Sequence, residues 1–117
     1  MNITIPTPRA IALAALMAVL APPALASTAQ TEYEAGVEAM RDFHFTEAQE
    51  HFRLAAGQGH RDALRTWGLM LLYGESLYGP ALHRKTGQAV ALLRQAADQG
   101  CEVSRFVLAR LGHYQGC

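Results

Sequence analysis

Two eight-residue stretches of this 117-residue chain nearly coincide: "RLAAGQGH" from Arg53 to His60 and "RQAADQGC" from Arg94 to Cys101, 41 residues apart. A catalytic motif has no reason to recur at such a distance, whereas a structural unit that stacks on copies of itself must. Each stretch pairs two alanines with a glycine-containing turn. This is the pattern of a helix that packs closely on a neighbour and then stops.

The residues between these turns read as helices. Glycine and proline punctuate the chain every dozen or so residues, and the intervening segments favour Ala, Leu, Glu, Gln and Arg. "TEYE" at Thr31 has the form of a capping box and predicts a helix start there, running to about residue 42; "TEAQ" at Thr46 predicts a second start. The second helix carries Ala48, Phe52, Ala55 and Ala56 at helical spacing. A third spans Arg61 to Tyr73, with Leu64, Trp67, Leu71 and Leu72 facing inward and Gly68 admitting a neighbouring backbone.

"YGESLYGPALHRKTG" then reads as a loop, because two glycines and Pro80 exclude a helix interior. A fourth helix, Thr86 to Asp98, buries Ala89, Leu92, Leu93, Ala96 and Ala97. A fifth, Glu102 to His113, shows Val103, Phe106, Val107, Leu108 and Leu111 as its apolar positions. The expected class is all-α: five short antiparallel helices in hairpins.

Residues 1–26 read as a secretory signal peptide and are set apart from the fold. A polar start with Arg9 precedes the 12-residue apolar run "AIALAALMAVLA", and Ala24-Leu25-Ala26 supplies a small-x-small cleavage pattern before Ser27. The run is shorter than the roughly 20 residues of a membrane span. The expected protein is therefore periplasmic or secreted, with one domain over residues 27–117 and no membrane span after cleavage. Losing Arg9 leaves nine basic against ten acidic residues, which argues against nucleic acid as a partner.

The charges are segregated, with Glu32, Glu34, Glu38, Asp42, Glu47 and Glu50 early and mostly arginine from Arg53 onward. Solvated helix faces account for this, and so does an oriented docking or self-association surface in which the acidic first helix meets the basic last one. Cys101 and Cys117 sit in an oxidising compartment if the chain is exported. A twelve-residue helix between them spans about 18 Å, too far for a bridge unless that helix ends early, so a bridge, a bond to another chain and free thiols all stay open.

"AQEHFRLAAGQGHRDALRTWGLMLLYG", Ala48 to Gly74, resembles the Sel-one-like repeat (SLR), a relative of the tetratricopeptide repeat (TPR). Ala48, Phe52, Ala55-Ala56, Gln58-Gly59, Ala63, Trp67-Gly68 and Tyr73-Gly74 fit its pattern. Ala89, Leu92, Ala96-Ala97, Gln99-Gly100 and Leu108 begin it again, with Ser104 and Ala109 in place of the usual Ala and Gly. Repeat units of about 45–85 and 86–117 follow, preceded by a TPR-like helix over 31–42 whose Gly36 stands twelve residues before Ala48. The resemblance implies an α/α superhelix that acts by binding protein, as adaptor or scaffold in a bacterial envelope complex or signalling pathway.

The loop after Gly74 is about five residues longer than that pattern. Its Tyr78, His83, Arg84 and Lys85 are the candidate partner contacts. No phosphate loop, nucleophile elbow or dinucleotide fingerprint occurs, and none of the five histidines is spaced as a helical zinc site. The expectation is a non-enzyme without cofactor or metal. The rival is a thiol-dependent enzyme or redox factor using Cys101 and Cys117, since Cys101 precedes a helix whose N-terminus lowers a thiol pKa.

Overall fold

A computed structural model describes residues 28–112. The signal segment, its cleavage site, His113 and Cys117 lie outside the described residues. Within them the chain forms six helical segments and no strand. These are α1 (28–41), α2 (Phe45–Gly57), α3 (Arg61–Tyr73), α4 (Glu75–Tyr78), α5 (Thr86–Asp98) and α6 (Glu102–Arg110).

The two echoed turns adopt the same backbone. In the first, the amides of Gln58 and His60 donate to the Ala55 carbonyl and that of Gly59 to Ala56; in the second, Gln99 and Cys101 donate to Ala96 and Gly100 to Ala97. Gly59 and Gly100 both take positive φ, at 80° and 89°, a region only glycine enters without strain. Each turn therefore folds its helix back into a hairpin, α2 with α3 and α5 with α6. Gln99 of the second turn donates from Nε2 to the Gly59 carbonyl at 2.9 Å, so one turn rests on the other.

Helix α3 is the centre. It pairs most extensively with α5 and then with α2, and Gly68 explains the first closeness: a Cβ there would lie 3.0 Å from Leu93 Cγ and 3.4 Å from the Ala89 carbonyl. Ala55, Ala56, Ala63, Ala89 and Ala96 are buried around Leu64, Leu71 and Leu92 in one cluster. Phe52, Met70 and Ala48 form a second with Leu82, and Leu93, Val90, Ala97 and Leu108 a third. The expected inward alanines are all in these clusters, while Trp67 and Leu72 are only half-buried.

Four expectations are corrected. Helix α1 is already helical at residue 28, so Thr31 lies inside it rather than at its N-cap; Ala29 is buried, and Gln30 bonds both Glu34 and His60, contacts that outweigh a local capping signal. Helix α2 begins at Phe45 with His44 as N-cap and no side-chain cap, which leaves Thr46 one residue inside. Phe45 is held there edge-on to Tyr78, with ring centroids 5.2 Å apart.

The expected loop after Gly74 contains α4 and inserts Leu82 into the core. Finally, α6 stops at Arg110 rather than His113, with Gly112 at φ 73°. Of its five apolar positions Leu108 is buried and Val107 half-buried, whereas Val103, Phe106 and Leu111 are exposed.

Two stability outcomes follow from this packing. Ala96 has no exposed surface, so Ala96→Leu overpacks the crossing and lowers stability by about 1–3 kcal/mol in a denaturant titration. Phe43, in the α1–α2 turn, holds φ 60° while its ring is 76% exposed. Phe43→Gly relieves that left-handed conformation, and the same titration should show a gain of about 1 kcal/mol.

Candidate functional site

Two grooves flank the C-terminal end of α3, and the short irregular segment His83 to Lys85 contributes a residue to each. Its position is fixed by backbone contacts. The Lys85 amide donates to the Leu71 carbonyl at 2.8 Å, and the Arg84 amide donates to Glu75 Oε2 at 3.0 Å. Glu75 is held below the usual carboxylate range by backbone hydrogen bonds, its own amide first and that of Arg84 next. Gly74 lies beneath, and a Cβ on it would stand 2.5 Å from the Arg84 nitrogen.

The larger groove, about 540 Å³, opens between α2 and the start of α5. Thr46, Gln49, Glu50 and Arg53 wall it from α2 at i, i+3, i+4 and i+7, one face of that helix. Trp67 and Leu71 of α3 line it as apolar surface, and Lys85 and Gln88 close the other side. Glu50 and Arg53 form a two-bond pair, 2.6 and 2.9 Å. The hydrogen bond from Arg53 holds Glu50 below its ordinary range, and Glu50 in turn raises Arg53. Lys85 has no ion-pair partner among the described residues, so it is the groove's uncompensated cation. Trp67 Nε1 is buried and has no hydrogen-bond acceptor among the described residues.

The second groove, about 370 Å³, is apolar with a cationic rim. Leu72 and Tyr73 of α3 face Phe106, Val107 and Leu111, and Arg84 and Arg110 border it. The expected contact residues thus divide. Lys85 belongs to the polar groove and Arg84 to the apolar one, while His83 is exposed and lines neither. Tyr78 is half-buried against Phe45, with its phenol pKa raised by burial first and by Tyr73 second.

Sequence reasoning missed the polar face of α2, whose only signal is a run of Thr, Gln, Glu and Arg at helical spacing. It also missed His60. This residue caps α3 by accepting the Ala63 amide on Nδ1 at 3.2 Å, which leaves Nε2 as the donor to Gln30 Oε1 at 2.8 Å, and its ring stacks on Tyr33 at 4.7 Å. His51 meets Glu32 Oε2 across the α1–α2 interface at 2.7 Å. Among the described residues no three His, Cys, Asp or Glu side chains are grouped to hold a metal.

Cys101 takes the place of His60 in the second turn and is the N-cap residue of α6. Among the described residues it is an unbridged thiol, 5% exposed, and the buried Ser104 hydroxyl donates to its Sγ at 3.3 Å. A small depression of about 160 Å³ beside it is bordered by Arg65, Asp62 and Val103. Burial pushes the thiol up, but the Ser104 hydroxyl and amide and the Arg65 guanidinium outweigh it, leaving the pKa below the ordinary thiol value. No carboxylate or imidazole accepts its proton in the described contacts.

A depressed acid stabilises the fold where it is ionised. The contribution of Cys101 is therefore full above the ordinary thiol pKa and is lost as pH falls through the lowered one. Melting curves of wild type and Cys101→Ser should separate further in favour of wild type as pH rises through that window; a pH-independent difference is the opposing result.

No family model matches the chain, and no curated protein and no solved structure matches it, so its function is argued from these grooves.

Proposed function

We propose that this chain is an exported, non-catalytic repeat protein of the Sel-one-like kind that binds an extended segment of another protein in the polar groove. In this reading the two hairpins are successive units of a short α/α superhelix, residues 1–26 direct export, and the protein works in the periplasm or outside the cell as an adaptor or scaffold of an envelope complex or signalling pathway. The superhelical reading is supported by the identical backbone of the two turns and by the Gln99-to-Gly59 bond that joins them.

The observation that carries the binding reading is the composition of the groove. An extended peptide needs partners for its backbone amides and carbonyls, and Thr46, Gln49 and Gln88 offer both donors and acceptors beside the apolar surface of Trp67 and Leu71. Glu50 and Arg53 neutralise each other, so Lys85 sets the electrostatic preference. The favoured segment carries a carboxylate that reaches Lys85, with an apolar side chain against Trp67.

A thiol-dependent activity has one observation in its favour, the lowered pKa of Cys101. Against it stand the burial of that sulfur and its neighbours, a hydroxyl and a guanidinium, neither of which is a general base.

Selection from a random peptide library displayed on phage tests the binding reading. Wild type should enrich sequences with an acidic residue, and Lys85→Glu should lose these and prefer basic ones, with a change of about tenfold or more in Kd for the best peptide. Lack of enrichment, or the same sequences for both proteins, would overturn it.

A further inference from the structure

We propose that the outer face of α6 is a homodimer interface in which two copies of this chain pack α6 against α6 in antiparallel register. The face is apolar at its centre and charged at its ends. Phe106 is 67% exposed and Val103 49%, and both stand among the large apolar side chains that the folded chain leaves in solvent. Glu102, Ala109 and Arg110 are exposed beside them. At 100° per residue all four neighbours lie within about 60° of Phe106 around the helix axis, so the five form one continuous strip.

The order of residues along that strip argues for a second copy as the occupant. Centred on Phe106, the positions four before and four after are Glu102 and Arg110; those three before and after are Val103 and Ala109. An antiparallel pair related by a two-fold axis through Phe106 therefore sets Glu102 of each copy opposite Arg110 of the other. It sets Val103 opposite Ala109 and the two Phe106 rings against each other. The Glu102–Arg110 and Val103–Ala109 contacts are each made twice and the Phe106 contact falls on the axis, as an isologous interface requires, and the small Ala109 opposite Val103 lets the axes approach within the usual 8 to 10 Å.

Glu102 already pairs with Arg105 of its own helix at 2.9 Å, and its side chain is 82% exposed, leaving lone pairs for a second cation. Arg110 has no ion-pair partner among the described residues. Tyr73 and Leu111 extend the apolar surface into the adjoining groove.

A head-to-tail contact with α1 of the next copy fits less well. The exposed face of α1 carries Gln30, Thr31, Glu34, Glu38 and Arg41, so Phe106 and Val103 would displace water from polar groups and offer them no partners. The isologous pair buries apolar against apolar and matches its own charges.

Light scattering and sedimentation equilibrium of the purified protein over a concentration series test the idea. The expected result is a reversible monomer–dimer equilibrium that Phe106→Asp abolishes without changing the circular dichroism spectrum or the melting temperature. Glu102→Arg and Arg110→Glu should each weaken the dimer by about tenfold, and the double variant should restore it, because the swapped charges again face each other.

A monomer at all concentrations overturns the proposal, as does open-ended assembly. So does a dimer indifferent to Phe106→Asp. A double variant no tighter than the singles rejects the antiparallel register.

Discussion

The approach of α5 to α3 at Gly68 governs the rest of the molecule. Any side chain at that position would crowd Leu93, which would have to give way, and would sit close to the Ala89 carbonyl. With hydrogen there instead, the two helices close around Leu64, Leu71 and Leu92, and the buried alanines of α2 and α5 can share one cluster through α3. Helices of this length are marginal alone in water, so α2 and α5 owe their stability to this shared partner. The polar groove follows directly: α2 and α5 lean on the same helix from two sides, and Trp67 and Leu71 line the space left between them.

The echoed turns show how repetition and particularity divide. Backbone bonds, the alanine pair and the positive-φ glycine are common to both, because they set the hairpin and leave no choice of residue type. The residue that follows differs, and its surroundings explain why. His60 has α1 beside it, which supplies Gln30 and Tyr33 as partners for an imidazole. Cys101 sits at the N-cap position of α6, buried in one cluster with Ala63 and Leu64 of α3, with Ser104 and Arg65 close by. Ser104 is the residue whose buried hydroxyl donates to the cysteine.

Periodicity and punctuation placed α3 and α5 at about their observed bounds, since a glycine follows the end of each and alanines mark their buried faces. Capping signals failed at Thr31 and Thr46 for a common reason. A capping box is a preference worth about 1 kcal/mol, and burial of Ala29 at one site and the Phe45–Tyr78 contact at the other extend the helix beyond it. The apolar positions of α6 were misleading in the opposite sense: three of them are exposed. Half of the candidate site was legible. Arg84 and Lys85 stand out in an oversized loop, whereas the α2 wall of the groove looks in sequence like any solvated helix face, because what distinguishes it is the tryptophan brought opposite by tertiary packing.

The inserted segment matters less for its exposed side chains than for the backbone that places two of them. The bonds from Lys85 to Leu71 and from Arg84 to Glu75 hold this stretch against the end of α3, with Arg84 lining one groove and Lys85 the other. One cation therefore serves each groove. Gly74 makes that approach feasible, since its φ of 52° and missing Cβ leave room for the Arg84 backbone. A larger residue at 74 would push the segment outward and move both cations together. Gly74 thus controls the electrostatics of two surfaces whose linings do not include it, a role set by close backbone approach and invisible to any search for chemically reactive side chains.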